Sequence, residues 1–192
     1  MDEKKKLIYD CAKQLFAEKG FKDTNVSEIT RKAGVAVGTF YLNFASKENL
    51  FFVIFMEENL LLKQYCLDNL DYSASPQVIV EQMLRLNAEG IRANPILRQW
   101  YQSGVYHKLE QVYREEHAMG SMTFLYDAFL VLVERWQTEG KMRRDIDSRM
   151  IMMIFAAIVN VDTHKDEIGM EFFPELLHVM TALVMQGLTE RC

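Results

Sequence analysis

Residues 26–44 read Val-Ser-Glu-Ile-Thr-Arg-Lys-Ala-Gly-Val-Ala-Val-Gly-Thr-Phe-Tyr-Leu-Asn-Phe. This stretch predicts a short helix, a tight turn at Gly34 and a second short helix that begins at about Val37. Glycine suits the junction because it adopts backbone conformations that other residues avoid. Two short helices joined by such a turn are typical of a helix-turn-helix, whose second helix can lie in the major groove of DNA.

An amphipathic helix is predicted just before this stretch, from about Lys4 to Lys19, because its apolar residues recur at spacings of three and four. Gly20 is expected to end that helix as a C-terminal cap residue. After the stretch, Ser46 is expected to cap a fourth helix that starts at Lys47. We therefore predict an N-terminal head of three helices over residues 1–47.

Within the head, Thr24 or Asn25 is expected to cap the second helix.

The rest of the chain, residues 48–192, also has helical patterns, so the fold class is predicted to be all-α. Ser75-Pro76 and Asn94-Pro95 each place a capping side chain before a proline, which marks a helix start. The body helices are predicted at about 76–93, 95–117, 121–140, 148–165 and 174–189.

Charge is distributed unevenly along the chain, whose formal net charge is −5. Residues 1–50 contain nine Lys and Arg against seven Asp and Glu, and residues 51–192 contain thirteen against twenty. The basic balance therefore lies in the same part of the sequence as the predicted helix-turn-helix. Such a distribution suits contact with DNA phosphates, although it is modest.

The predicted second helix of the motif has one inward and one outward face. Phe40 and Phe44 are four residues apart and are expected to pack inward, which leaves the other side chains toward solvent or DNA. Hydroxyl groups can bond phosphate oxygens, and apolar or amide groups can contact base edges. The predicted DNA-binding residues are Thr24, Ser27, Val37, Gly38, Thr39, Tyr41, Leu42, Asn43 and Lys47. The alternative is a helical hairpin with a packing role alone.

Residues 5–52 resemble the TetR family of bacterial transcription regulators. The resemblance is carried by Phe16-Ala17-Glu18-Lys19-Gly20-Phe21, Thr24 with Glu28-Ile29, Ala33-Gly34-Val35, Gly38-Thr39-Phe40-Tyr41 with Phe44, and Lys47-Glu48 with Leu50. It implies an all-helical homodimer with a DNA-binding head and a C-terminal body that binds a small effector. Most such proteins are repressors that their ligand releases. Asn43 departs from the family pattern, in which His or Tyr is common.

The C-terminal helices offer a candidate dimer interface. The last predicted helix carries an apolar stripe, and residues 150–159 are apolar all round, so that helix is expected to be buried on every side. Two such helices from each subunit could form a four-helix interface. The predicted interface residues are Met153, Ala157, Leu176, Met180, Leu183 and Val184. The alternative is a core within one chain.

Aromatic and methionine residues are concentrated in the middle of the body. Bulky, adaptable side chains suit an apolar ligand cavity, and they suit an ordinary core equally well. The candidate ligand-binding residues are Trp100, Tyr101, Tyr106, Met122, Phe124, Tyr126 and Phe129. No cofactor motif is present, and the histidines lack the spacing of metal ligands, so we expect neither a cofactor nor a metal.

The sequence therefore predicts a regulator that binds double-stranded DNA at a pseudo-palindromic operator and is released by a small, mostly apolar or aromatic ligand. An activator or a ligand-independent regulator of the same fold remains an alternative, as does a helical small-molecule-binding protein or an enzyme without DNA binding. Enzyme motifs such as a phosphate-binding Gly-rich loop, HExxH or a nucleophile elbow are missing from the sequence. With no signal-peptide pattern and no membrane-length apolar run, a cytoplasmic protein is expected.

Overall fold

The computed structural model describes residues 3–101, 105, 123–161 and 164–189, and within these ranges the regular structure is entirely helical. The predicted all-α class is confirmed. We number the described α-helices in chain order: α1 Glu3–Lys19, α2 Val26–Ala33, α3 Val37–Asn43, α4 Lys47–Asp68, α5 Pro76–Ala93, α6 Thr123–Thr138, α7 Ser148–Val161, α8 Lys165–Ile168 and α9 Glu175–Thr189. Short 3-10 segments cover Leu97–Tyr101 and Met170–Phe172.

The chain divides into two compact units. The first comprises Met1–Lys63 and Ala88–Ala118, and the second comprises Gln64–Asn87 and Met119–Cys192. The first unit contains the three predicted head helices and also the beginning of α4. The domain boundary predicted after residue 47 stays a prediction, but the core of this unit extends beyond it.

Local signals in the head produce the predicted helix ends. Gly20 adopts a φ of +89° and donates its N–H to Phe16 O, which ends α1. Asn25 is the N-cap of α2, and its side chain accepts a hydrogen bond from the Glu28 N–H. Gly34 follows α2 with a φ of +67°, a left-handed conformation that glycine adopts without strain. The turn between α2 and α3 is therefore encoded locally.

Aromatic packing holds the first unit together. The Phe51 ring of α4 lies 5.1 Å from the Phe16 ring of α1 and 5.0 Å from the Phe21 ring, measured between centroids. All three side chains are fully buried. Burying a large aromatic side chain contributes about 1.5–3 kcal/mol. The start of α4 therefore completes the core beneath α1.

In the second unit, α7 packs against both α6 and α9. Trp136 of α6 and Ile151 of α7 are buried, as are Met185 and Leu188 of α9. The loop after α6 is bound to the end of α9 by a hydrogen bond from the Arg143 N–H to Leu188 O, at 2.9 Å. These contacts give the second unit its own apolar core.

One expected helix boundary in the C-terminal region is wrong. Lys165 is predicted to end a helix over residues 148–165, but it begins the short helix α8, Lys165–Ile168. The helix over residues 150–159 is expected to be buried on every side, and a second subunit could supply part of that cover, so the single chain tests only part of this expectation. In the chain alone it buries Ile151 and Ile158 but exposes Met153 and Val159, because its neighbours cover one face.

Candidate nucleic-acid interface

Helix α3 is anchored by its two phenylalanines and contacts both α1 and α2. Phe40 is fully buried, and Phe44 is 5% exposed with Lys5 Nζ lying 5.3 Å from its ring centroid. The predicted inward face is confirmed. Residues four apart share a helix face, so the inward anchoring of Phe40 and Phe44 directs the side chains of Tyr41 and Leu42 outward.

The outward face of α3 is apolar to an unusual degree for so short a helix. Leu42 is 87% exposed, Tyr41 is 57% exposed and Val37 is 44% exposed. Isolated exposed apolar residues need no explanation, but three on one seven-residue helix form a surface suited to base and sugar contacts. These are three of the predicted DNA-binding residues.

The remaining predicted residues around α3 divide according to how free their side chains are. Ser27 and Gly38 are exposed, and Thr39 is half-buried. A Cβ added at Gly38 would meet no atom within 4 Å, so the protein itself does not require glycine there. The Asn43 amide nitrogen donates to Thr39 O at 2.8 Å, which directs that nitrogen back onto its own helix.

Thr24 does not fit its prediction as a DNA contact. Its side chain is 1% exposed, and its hydroxyl donates to Gly20 O at 2.8 Å and lies 3.4 Å from Leu15 O. Because the hydroxyl stabilises the turn after α1, it is not presented to a ligand. The Thr24 side chain is therefore part of the protein interior and not of the surface around α3.

Lys47 has a role within the protein that the sequence did not reveal. Its Nζ donates to Phe21 O and to Thr24 O, each at 2.7 Å, and lies 4.2 Å from the Phe21 ring centroid. The predicted phosphate contact of Lys47 stays a prediction. Replacing this lysine would also remove both hydrogen bonds, so its loss would not report on DNA contact alone.

Gln99 was missed by the sequence reasoning altogether. It lies in the 3-10 segment after α5, is 3% exposed, and bonds to backbone groups of Phe16 and Phe21. These partners are 83 and 78 residues away in sequence. No local pattern could have identified it, since its role depends on tertiary contacts.

An ion pair supports the start of α2. Lys19 Nζ lies 2.8 Å from a Glu28 carboxylate oxygen, and this hydrogen bond is the main reason that the pKa of Glu28 lies below its ordinary value of 4.5. Partial burial acts in the opposite direction. A carboxylate in the first turn of a helix is also favoured by the helix dipole.

Glu28→Gln should remove an acid-sensitive part of the stability. The folded pKa is depressed, so the ion pair stabilises the protein above pH 4.5 and its contribution is lost as the pH falls through the folded value. We expect the difference in thermal midpoint between wild type and Glu28→Gln to be larger at about pH 7 than at about pH 3. Calorimetry at both values checks this, and an equal difference at both would contradict it.

The candidate ligand-binding residues are only partly described. Phe124, Tyr126 and Phe129 lie on α6 and are each half-buried. The Trp100 and Tyr101 side chains, and Tyr106 and Met122 entirely, lie outside the described residues. A shallow depression of about 390 Å³ lies beside α6, and the residues that line it are Glu134, Gln137, Thr138 and Arg144, none of them aromatic or aliphatic. That depression does not match the apolar cavity expected from the sequence.

The candidate dimer residues lie on α7 and α9. Met153 is 47% exposed, Leu183 is 65% exposed and Ala157 is also exposed, whereas Leu176, Met180 and Val184 are half-buried. Three further large apolar side chains of these helices, Met150, Val159 and Val179, are exposed. We call this set the α7–α9 apolar face.

Within the part of the chain that the structure describes, no helix has both the length and the apolarity to span a bilayer.

Comparison with known proteins agrees with this geometry. Residues 8–54 match the model of the bacterial regulatory proteins of the tetR family. The uncharacterised HTH-type transcriptional regulator YuxN of Bacillus subtilis is 48% identical over 50 residues, which are 26% of this chain and 17% of the relative. The fatty acid metabolism regulator protein of the same organism is 43% identical over 51 residues, which are 27% of this chain and 26% of the relative.

A solved structure resembles the fold over almost the whole chain. Thermus thermophilus FadR, a TetR-family transcriptional repressor in complex with lauroyl-CoA, is 20% identical with a TM-score of 0.68, covering 98% of this chain and 96% of that one. The chain matches only 17–26% of the length of the two curated relatives. The residues that match the family model include α2, α3 and most of α1. Residues 8–54 are thus similar to the tetR-family model, and the chain shares its fold with that TetR-family structure.

Proposed function

We propose that this protein is a transcriptional regulator that binds double-stranded DNA as a homodimer, with α3 in the major groove. The observation that carries the proposal is the exposed face of α3, formed by Val37, Tyr41 and Leu42 and held outward by buried Phe40 and Phe44. A two-fold dimer would present two such helices, so the expected operator is pseudo-palindromic.

Selection of bound genomic DNA fragments tests the proposal. Purified protein is mixed with sheared genomic DNA at increasing salt, and the retained fragments are sequenced and footprinted. We expect enrichment of fragments that share an inverted repeat, with an affinity that falls linearly on a log–log plot against salt. Retention of no fragment, or of fragments without a common sequence, would contradict specific DNA binding.

We further propose that the body binds a small, mostly apolar ligand that releases the protein from its operator. Supporting this are the half-buried aromatic residues Phe124, Tyr126 and Phe129 of α6. Because Thermus thermophilus FadR was solved with lauroyl-CoA, whose acyl chain is apolar although its CoA group is charged, lauroyl-CoA is the first compound to test, followed by small aromatic compounds. A transcription assay separates a repressor from an activator. Adding a repressor lowers transcription from the operator-bearing promoter, whereas adding an activator raises it.

The coupling between ligand and DNA can be measured in both directions. A ligand shifts DNA binding only if its affinity differs between the DNA-bound and free conformations. Operator DNA must then weaken ligand binding by the same factor as ligand weakens operator binding. Titration calorimetry with and without operator checks this equality. A ligand that binds tightly and leaves operator affinity unchanged would contradict the release mechanism.

Gly38→Ala separates DNA contact from folding. An added methyl group has open space in the free protein, and alanine is favoured over glycine in a helix by up to about 1 kcal/mol. The variant should therefore be as stable as wild type or slightly more so. If the DNA backbone approaches Gly38 closely, operator affinity should fall about ten-fold or more. Unchanged affinity in a band-shift assay would place the DNA away from Gly38.

A further inference from the structure

Side chains from distant parts of the chain hold the backbone between α1 and α2. We call residues 16–24 the α1–α2 corner. Within it, the Phe21 N–H donates to Gln99 Oε1 at 2.6 Å, and Phe21 O accepts from Lys47 Nζ at 2.7 Å. Both backbone polar groups of one loop residue are thus bonded to side chains of other elements.

Gln99 is fully engaged in this arrangement. Its amide nitrogen donates to Phe16 O at 3.0 Å and to Pro95 O at 2.8 Å, while its oxygen accepts from Phe21. The side chain is 3% exposed. Because water has little access, removal of this amide would leave buried backbone groups of the corner unpaired, which is costly.

The turn that carries Gln99 is itself held in place. The Asn94 side-chain oxygen accepts from two backbone N–H groups of its own turn, and its nitrogen donates to Glu58 of α4 at 2.5 Å. Glu58 also pairs with Lys13 of α1 at 2.6 Å. Gln99 therefore projects from a supported turn, and its bonds transmit the position of that turn to the corner.

We infer that Gln99 is a positioning residue for DNA recognition. It links the chain that follows α5 to the α1–α2 corner, from which α2 starts at Val26 and leads directly into α3. A corner that loses these bonds can shift α2 and α3 relative to the start of α4. This inference rests on the proposed function, since it assigns Gln99 the task of orienting the surface that would contact DNA.

The test replaces Gln99 by methionine, which keeps the length and removes the amide. We expect faster hydrogen exchange at the Phe21 amide and about a ten-fold lower affinity for the selected operator. Affinity for non-specific DNA should change much less, because phosphate attraction depends weakly on orientation. The free protein gives the exchange measurement by NMR, and band shifts give both affinities.

Gln137→Met is the matched control. The Gln137 amide also bridges backbone carbonyls, of Arg143 and Ile146 at 2.8 Å each, but in the second compact unit. It should lose stability without a selective loss of operator affinity. Equal affinity losses in the two variants would overturn the inference, as would wild-type operator affinity in folded Gln99→Met.

The wild-type protein offers a second check if Gln99→Met does not fold. The Phe21 amide must then be protected from exchange in the unmodified chain, and rapid exchange there would overturn the inferred role of Gln99, whose oxygen accepts from that amide. Failure of the proposed function looks different. A wild-type protein that retains no genomic fragment would refute DNA recognition, and with it the positioning role, while the Phe21 amide could still be protected.

Discussion

Leu42→Glu should abolish specific DNA binding while leaving the protein folded. Leu42 is 87% exposed on α3, so a glutamate there loses little packing and remains solvated in the free protein. In a complex, its charge would face the phosphates and base edges of the major groove, and like-charge juxtaposition costs several kcal/mol. Since about 1.4 kcal/mol corresponds to a ten-fold change, operator affinity should fall about 100-fold or more.

Fluorescence anisotropy with labelled operator measures this loss of affinity. The free energy of unfolding, measured by thermal denaturation, should differ from that of wild type by no more than about 0.5 kcal/mol. Leu61→Glu is the control, because Leu61 is 57% exposed in the same compact unit but lies on α4, about four helical turns after its start at Lys47. It adds the same charge and should lower affinity far less. If the two variants bind equally well, α3 is not the recognition helix.

The head could be predicted from sequence because its signals are local. Gly20 and Gly34 allow the left-handed backbone at the helix ends, Asn25 caps α2, and the spacing of Phe40 and Phe44 sets which face of α3 is buried. Each signal acts over a few residues, and neighbouring signals agree. The exposed Val37, Tyr41 and Leu42 followed from that agreement without knowledge of any tertiary contact.

The polar side chains around the head could not be assigned in the same way. Thr24 and Lys47 carry groups that suit phosphate binding, but in the fold their hydrogen bonds go to backbone carbonyls of the α1–α2 corner. Gln99 reaches the same corner from 78 residues away. A sequence pattern shows which groups are available and does not show which backbone atoms the fold leaves in need of a partner.

The partial exposure of α7 in a single chain has a different physical origin. A helix with apolar residues all round its surface is expected to be buried. The pattern does not indicate whether the residues that bury it belong to the same chain or to another one. Within one chain α7 buries Ile151 and Ile158 and leaves Met153 and Val159 exposed. The apolar pattern and the exposed face are compatible if a second copy of the chain supplies the remaining cover.

Leu183→Glu should therefore convert a dimer into monomers. Leu183 is 65% exposed within the α7–α9 apolar face, so the free chain tolerates the substitution. In a two-fold interface every substitution occurs twice, and burial of each unpaired charge costs several kcal/mol. Operator affinity should fall about 100-fold or more, because two linked heads bind two half-sites with a high effective concentration and single heads do not.

Val131→Glu is the matched control for this variant, because Val131 on α6 is 64% exposed and receives the same new charge. Sedimentation velocity should give a monomer for Leu183→Glu and a dimer for Val131→Glu, each with wild-type helicity by circular dichroism. A dimeric Leu183→Glu protein would show that the subunits meet elsewhere. DNA binding by the expected Leu183→Glu monomer adds a second criterion. Each monomer still carries an intact α3, so it should retain salt-dependent, non-specific DNA binding even though its high operator affinity is lost.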